Sequence, residues 1–176
     1  ATSHGTIRRN KLTDFQNIRK NGLIAMKLGE GEKLVSVKIG AEDEDVLLAT
    51  KLGKAIRFPL TDIRVFAGRS STGVRGIKLR EGQEVIALIP IEGEGTILFV
   101  TAKGYGKRTR YAEFPLRGRG GQGVIAIQAN ERNGAVVGAV SVAEDDEIML
   151  ISDGGILVRT PVEGISIIGR ITQGIR

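Results

Sequence analysis

Along this chain the apolar positions change rhythm in a fixed order. Val35, Val37 and Ile39 alternate with Ser36 and Lys38, the period of two expected of a half-buried strand. Uninterrupted apolar runs follow at Val46 to Ala49, Ile97 to Val100 and Ile148 to Ile151, short and rich in β-branched residues, as buried strands are. Each run ends at a glycine turn, and no stretch carries the periodicity and caps of an amphipathic helix. Pro59, Pro90, Pro115 and Pro161 stand near predicted strand ends, where a missing N–H does least harm. The pattern predicts an all-β chain of antiparallel strands, about four to a unit, as in a propeller blade.

The same order recurs roughly every fifty residues, the period of propellers and solenoids. Gly5, Gly53, Gly104 and Gly155 are each followed four positions on by an arginine: Arg9, Arg57, Arg108 and Arg159. An apolar anchor comes next at Phe15, Ile63, Phe114 and Ile165, then a second glycine at Gly22, Gly73, Gly123 and Gly174. Residues 1–176 therefore read as one domain of approximate repeats 1–48, 49–100, 101–151 and 152–176, the last incomplete. One such unit cannot bury its apolar face alone, so the units must stack. Too few of them to close a ring leave sheet edges unpaired, which predicts a piece of a longer array.

Composition narrows the function. The chain has 41% hydrophobic residues but only 4% aromatics, which suits closely stacked sheets better than a large ligand cavity. It has no cysteine, hence no disulfide or thiolate metal site, and no apolar run long enough to be a membrane helix or a secretory signal. A cytoplasmic protein is the simplest expectation. The formal charge of +6 comes from 26 basic and 20 acidic residues. The acids gather at Glu42 to Asp45, Glu92 to Glu94 and Glu144 to Glu147, late in each repeat, so folding is expected to place the two signs on different rims. A basic rim suits a polyanion.

Three repeats carry Gly-Arg before the second glycine: Gly68-Arg69, Gly118-Arg119 and Gly169-Arg170. The first substitutes Arg19-Lys20. Glycine lets a backbone approach a ligand and arginine grips phosphate through paired hydrogen bonds, so the recurring box points to phosphate contact. Gly118, Gly120 and Gly123 also spell a dinucleotide fingerprint, but Val124 to Ile127 reads as strand, and the fingerprint needs a helix N-terminus. Tyr105 and Phe114 are expected in the core. The acids of Glu144 to Glu147 lack a calcium-loop pattern, His4 is the only histidine, and no residue set has the context of a catalytic site, so neither metal nor chemistry is expected here.

The whole chain resembles the C-terminal DNA-wrapping domain of the A subunit of bacterial DNA gyrase. The most specific stretches are Gly104-Tyr105-Gly106-Lys107-Arg108-Thr109, Arg119-Gly120-Gly121-Gln122-Gly123-Val124-Ile125-Ala126, Glu131-Arg132-Asn133-Gly134 and Asp146-Glu147-Ile148-Met149-Leu150-Ile151. The resemblance implies a β-pinwheel, a propeller-like ring whose blades exchange a strand. The family's hallmark Gln-Arg-Arg-Gly-Gly-Lys-Gly is absent, and Arg117 to Gly123 matches it only at Arg119, Gly120, Gly121 and Gly123, as a degenerate later copy would.

The resemblance also implies a partner, duplex DNA, bent around a basic rim. The DNA-binding candidates are Arg8, Arg9, Arg19, Lys20, Lys54, Arg57, Arg69, Lys107, Arg108, Arg117, Arg119, Arg159 and Arg170, each placed to neutralise phosphate. Nothing reads base edges, so preference is expected to follow how easily a duplex bends. The chain itself is not expected to be an enzyme or to hold a cofactor. The implied parent is an ATP- and magnesium-dependent type II topoisomerase, in which the B subunit joins the rest of the A subunit in a heterotetramer. Two alternatives stand: the corresponding domain of topoisomerase IV, and a propeller scaffold that binds proteins.

Overall fold

The computed structural model describes residues 1–176 and contains strands and short 3-10 turns without an α-helix. The strands are β1 (Thr6–Ile7), β2 (Asp45–Thr50), β3 (Lys54–Pro59), β4 (Val74–Arg75), β5 (Val85–Ile91) and β6 (Thr96–Thr101), then β7 (Gly106–Arg110), β8 (Val124–Ile125), β9 (Val136–Val142), β10 (Glu147–Ile151) and β11 (Leu157–Pro161). Turns at Leu12–Phe15, Leu60–Asp62, Tyr111–Glu113 and Val162–Gly164 occupy the same place in successive units.

The repeat sets the topology. The hairpin β2–β3 is flanked by β5 on one side and β8 on the other, so its sheet runs β5-β2-β3-β8. The hairpin β6–β7 repeats this with β9 beside β6, and Ile175 bridges Gly106 where β8 stands in the previous sheet. Each blade thus borrows its outer strand from the unit that follows, which is the strand exchange of a pinwheel. All ladders between strands are antiparallel, as expected. Single parallel bridges, Arg9 to Val65, Arg57 to Leu116 and Arg108 to Ile167, add a recurring contact the pattern did not predict.

The apolar run of β2 is buried because both faces of the strand meet a core. Leu47 and Ala49 join Ile97, Phe99, Phe114 and Ile127 in one cluster, while Val46 and Leu48 join Ile7, Ile56, Phe58 and Ile77 in another. Successive side chains of a strand point to opposite faces, so a strand between two cores reads as continuous rather than alternating.

Two expected strand readings change. Residues 35 to 39 form no strand: only Leu34 bridges, to Thr2, and Val37 and Ile39 are 73% and 76% exposed. By register Leu34 stands where Val85 and Val136 pair with Thr50 and Thr101, but residues 1 and 2 offer the segment only the end of a ladder. The run Ile148 to Ile151 does form β10, yet Met149 and Ile151 are 59% and 69% exposed, because β10 pairs with β11 alone and no second sheet covers it. Phe114 is buried as expected; Tyr105 is only half-buried and receives a hydrogen bond at its hydroxyl from Arg132 Nε (3.2 Å).

Candidate nucleic-acid interface

In the first three units the arginine that follows the first glycine is a joint between blades, which corrects the assignment of Arg9, Arg57 and Arg108 to phosphate. Arg57 Nη1 donates to the Tyr111 carbonyl in the next unit (2.9 Å), while its Nε and Nη2 both lie 2.8 Å from the Asp45 carboxylate. Arg108 repeats this, with Nε on the Ile165 carbonyl (2.8 Å) and Nη1 on Glu144 (2.6 Å). Arg9 donates to the Ile63 carbonyl and lies 3.6 Å from Glu42. Arg159 is exposed and paired with Glu147 across its own hairpin. Glu42, Asp45, Glu144 and Glu147 therefore meet these arginines instead of lying on a separate rim. Arg108 is 3% exposed and so out of reach of a duplex.

Lys107 and Arg8 also turn inward. Lys107 is fully buried, its ammonium donating to the Gly169 and Arg170 carbonyls (2.8 Å each) and to Thr172 Oγ1 (3.1 Å). Burial lowers its pKa from 10.5 to about 8, with Glu113 acting to raise it and Arg170 to lower it further. Arg8 donates to the carbonyls of Ser71 (2.5 Å) and Gly68 and stacks on Phe66, 4.5 Å from the ring centre. Burial thus removes Lys107 from the DNA contacts, and Arg8 is engaged by its neighbours.

The paired glycines are likewise structural. A Cβ on Gly53 would lie 2.1 Å from the Ile127 carbonyl oxygen, and one on Gly123 would lie 2.4 Å from that of Ala55. Both have positive φ, +86° and +76°. All eight recurring glycines have positive φ, and Gly5, Gly53, Gly73, Gly123 and Gly174 are also places where backbone of one unit is pressed against backbone of the next.

What remains on the surface is a track of loops. Arg69, Arg119 and Arg170 each donate Nη1 to a carbonyl two residues past the second glycine of the preceding unit: Ile24 (2.9 Å), Arg75 (2.6 Å) and Ile125 (2.6 Å). This clasp ties neighbouring boxes together along one rim. Backbone bonds run beside it, from Lys27 N to Ser71 O, Lys78 N to Gly121 O and Gln128 N to Thr172 O. Arg19, Lys20 and Arg117 are exposed along the rim without an acid partner; Lys54 is half-buried on β3, in register with Ile125. Arg19 and Arg69 both line an open, mostly polar cleft of about 580 Å³.

Sequence reasoning missed four cations here. Lys27 and Lys78 are exposed and stand five residues past Gly22 and Gly73, the offset held by Gln128 after Gly123, so the repeat itself could have found them. Arg75 is exposed on β4, and Arg80 is exposed and reaches Gln122 (3.1 Å) in the next box. No group of His, Asp or Glu side chains has metal-binding geometry, and Val124–Ile125 after the glycine box is strand, so no helix end is there to hold a pyrophosphate.

Comparison with known proteins fits this architecture. A family model described as the DNA gyrase C-terminal domain, β-propeller, matches residues 1–40, 44–92, 95–143 and 146–176. The A subunit of DNA gyrase from Escherichia coli K12 is 47% identical over 175 residues, covering 99% of this chain and 20% of that protein. Its counterpart from Pseudomonas aeruginosa is 48% identical, covering 99% and 19%. The chain thus spans about a fifth of the length of these relatives. The solved structure of a DNA gyrase A C-terminal domain superposes with a TM-score of 0.88 at 34% identity, over 99% of this chain and 58% of that one. That of a topoisomerase IV C-terminal domain gives 0.92 at 22% identity, over 99% and 55%, a likeness of fold alone. Four matched repeats, exchanged outer strands and whole-chain identity together place this chain in the DNA gyrase C-terminal domain family, the β-propeller end of the gyrase A protein.

Proposed function

We propose that this chain binds duplex DNA without base readout along the rim of clasped loops and bends it, in support of supercoiling by a gyrase. The carrying observation is the continuity of that rim: Arg69, Arg119 and Arg170 tie successive boxes together, and exposed cations without acid partners follow it from Arg19 and Lys20 through Lys27, Arg75 and Lys78 to Arg117. Spaced cations replace condensed counterions along the duplex, and the many contacts offset a bending cost of several kcal/mol, up to about 10. Phosphate contacts position the duplex and carry no sequence information.

In this reading the domain supplies binding, and strand cutting, ATP and magnesium belong to other parts of a type II topoisomerase. Its partners are then the B subunit together with the remainder of the A subunit, in a bacterial cytoplasm near the nucleoid. Lys54, Arg117, Arg119 and Arg170 complete the proposed contact set. Ligation of nicked circular DNA in the presence of the chain, followed by deproteinisation, measures the bend directly. A positive shift in linking number is expected; no shift, with binding confirmed in the same tube, would reduce the chain to a basic track that does not wrap.

A further inference from the structure

The clasp is present at three successive boxes, but a second device beneath the boxes is not. Three residues past the first glycine, one unit presents Arg8, the next Ile56 and the next Lys107. Arg8 reaches up to the loop of residues 68 to 71, donating to the Gly68 and Ser71 carbonyls and to the Ser71 hydroxyl (3.3 Å). Lys107 does the same to the loop of residues 169 to 172, ending on the Thr172 hydroxyl (3.1 Å). At the intervening joint the cation is replaced by Ile56 and the hydroxyl by Gly121, where a Cβ would lie 3.8 Å from the Ile56 methyl. Donor and hydroxyl thus appear together or not at all: Arg8 with Ser71, Lys107 with Thr172, and Ile56 with Gly121.

The other anchors of the loops do not vary in this way. Arg119 and Arg170 make the same clasp, and the backbone N of each also faces an acid, Asp62 (3.4 Å) or Glu113 (3.3 Å). The Gly121 and Thr172 carbonyls each accept from the preceding unit at 2.8 Å. The 118–122 loop has bonds of its own, from Arg119 Nε to the Asp62 carbonyl (3.1 Å), Gly120 N to the Gly76 carbonyl (2.8 Å) and Arg80 to Gln122 (3.1 Å), but it lacks the buried donor that stands beneath the 169–172 loop. The buried Lys107 ammonium requires its acceptors, so the loop above it is held by groups that cannot leave without stranding a charge, while the partly exposed Arg8 holds its loop by hydrogen bonds and by stacking on Phe66. The box at 118 to 122 has no such restraint and carries Gly118, Gly120 and Gly121.

We infer that Arg8 and Lys107 are positioning residues that fix the loops at 68–71 and 169–172, and that the Ile56 and Gly121 joint leaves the loop at 118–122 as the compliant segment of the track. The consequence for DNA rests on the duplex-binding reading. Fixed loops hold Arg69 and Arg170 in place before a phosphate arrives, and the compliant one adjusts Arg117 and Arg119 to the local path of the duplex.

The test compares Lys107→Met, which keeps length but loses every donor, with Lys107→Arg, which offers the donors that Arg8 offers. Amide exchange is followed in loops 118–122 and 169–173, and duplex affinity is titrated against salt. In the unsubstituted chain, loop 118–122 is expected to exchange faster than loop 169–173. Lys107→Met should raise exchange in the latter about tenfold, the change that loss of one net hydrogen bond produces. It should also weaken duplex binding several-fold at an unchanged salt slope, and Lys107→Arg should restore both. Arg170→Ala, in contrast, should lower the slope by about 1. Should Lys107→Met not fold, Thr172→Val removes the hydroxyl at constant shape and should loosen the same loop. Equal exchange in the two loops, or no loosening in either variant, overturns the inference. A loosened loop with unchanged affinity overturns its consequence for DNA. If the unsubstituted chain binds no duplex at any salt concentration, the DNA reading fails, and exchange alone decides whether Lys107 holds the loop.

Discussion

Arg108→Ala separates a joint between blades from a DNA contact. The side chain is almost wholly buried, with Nε on the Ile165 carbonyl at 2.8 Å and Nη1 on Glu144 at 2.6 Å. A hydrogen bond to a charged group contributes about 1.5–3 kcal/mol. The Glu144 side chain is 67% exposed and regains water when the arginine goes, so most of its share is discounted. The Ile165 carbonyl loses its guanidinium donor, and the aliphatic stem no longer packs. The net loss is about 2–3 kcal/mol, which for a chain of this size lowers Tm by about 4–12 °C. Calorimetry measures that shift, and fluorescence anisotropy with a labelled duplex, taken across a salt series well below both melting points, measures the DNA term. The slope of log affinity against log salt should stay unchanged, because a buried guanidinium neutralises no phosphate. An unchanged Tm together with a slope reduced by about 0.9, one phosphate, would show that Arg108 leaves its joint to meet DNA, and would refute the assignment.

The exposed cations should behave in the opposite way. Arg75→Ala and Lys78→Ala should each lower the salt slope by about 0.9 while changing stability by no more than about 0.5 kcal/mol, as anisotropy and urea unfolding would show. Gly123→Ala should destabilise by at least about 2 kcal/mol, since its φ of +76° costs any side chain and its Cβ would lie 2.4 Å from the Ala55 oxygen; urea unfolding reads the loss. Lys107 gives a pH signature. Its folded pKa, about 8, lies below the unfolded 10.5, so between those values the unfolded chain holds more protons and stability rises with pH. Relative to Lys107→Met, the unsubstituted chain should gain about 1.5 kcal/mol between pH 8 and 9.5, and an unchanged difference across that window would contradict a desolvated ammonium.

The sequence by itself determined the strand type and the family. These follow from local properties: run length, β-branching, glycine at turns and the spacing at which all of them recur, as the buried Val46–Ala49 and Ile97–Phe99 show. It also marked the box arginines Arg69, Arg119 and Arg170, which do share one rim. Recurrence alone could not separate a residue repeated for its ligand from one repeated for its neighbour. Gly53, Arg57 and Arg108 recur because each unit meets the next in the same way, and the partner of Arg57 lies 54 residues on, at Tyr111. Only the tertiary structure decided which cations face solvent, since a strand's charge is free or paired according to the sheet laid against it. The same reason explains Ile148 to Ile151: its composition is that of a core strand, but burial requires a second sheet, and β10 has only β11 beside it.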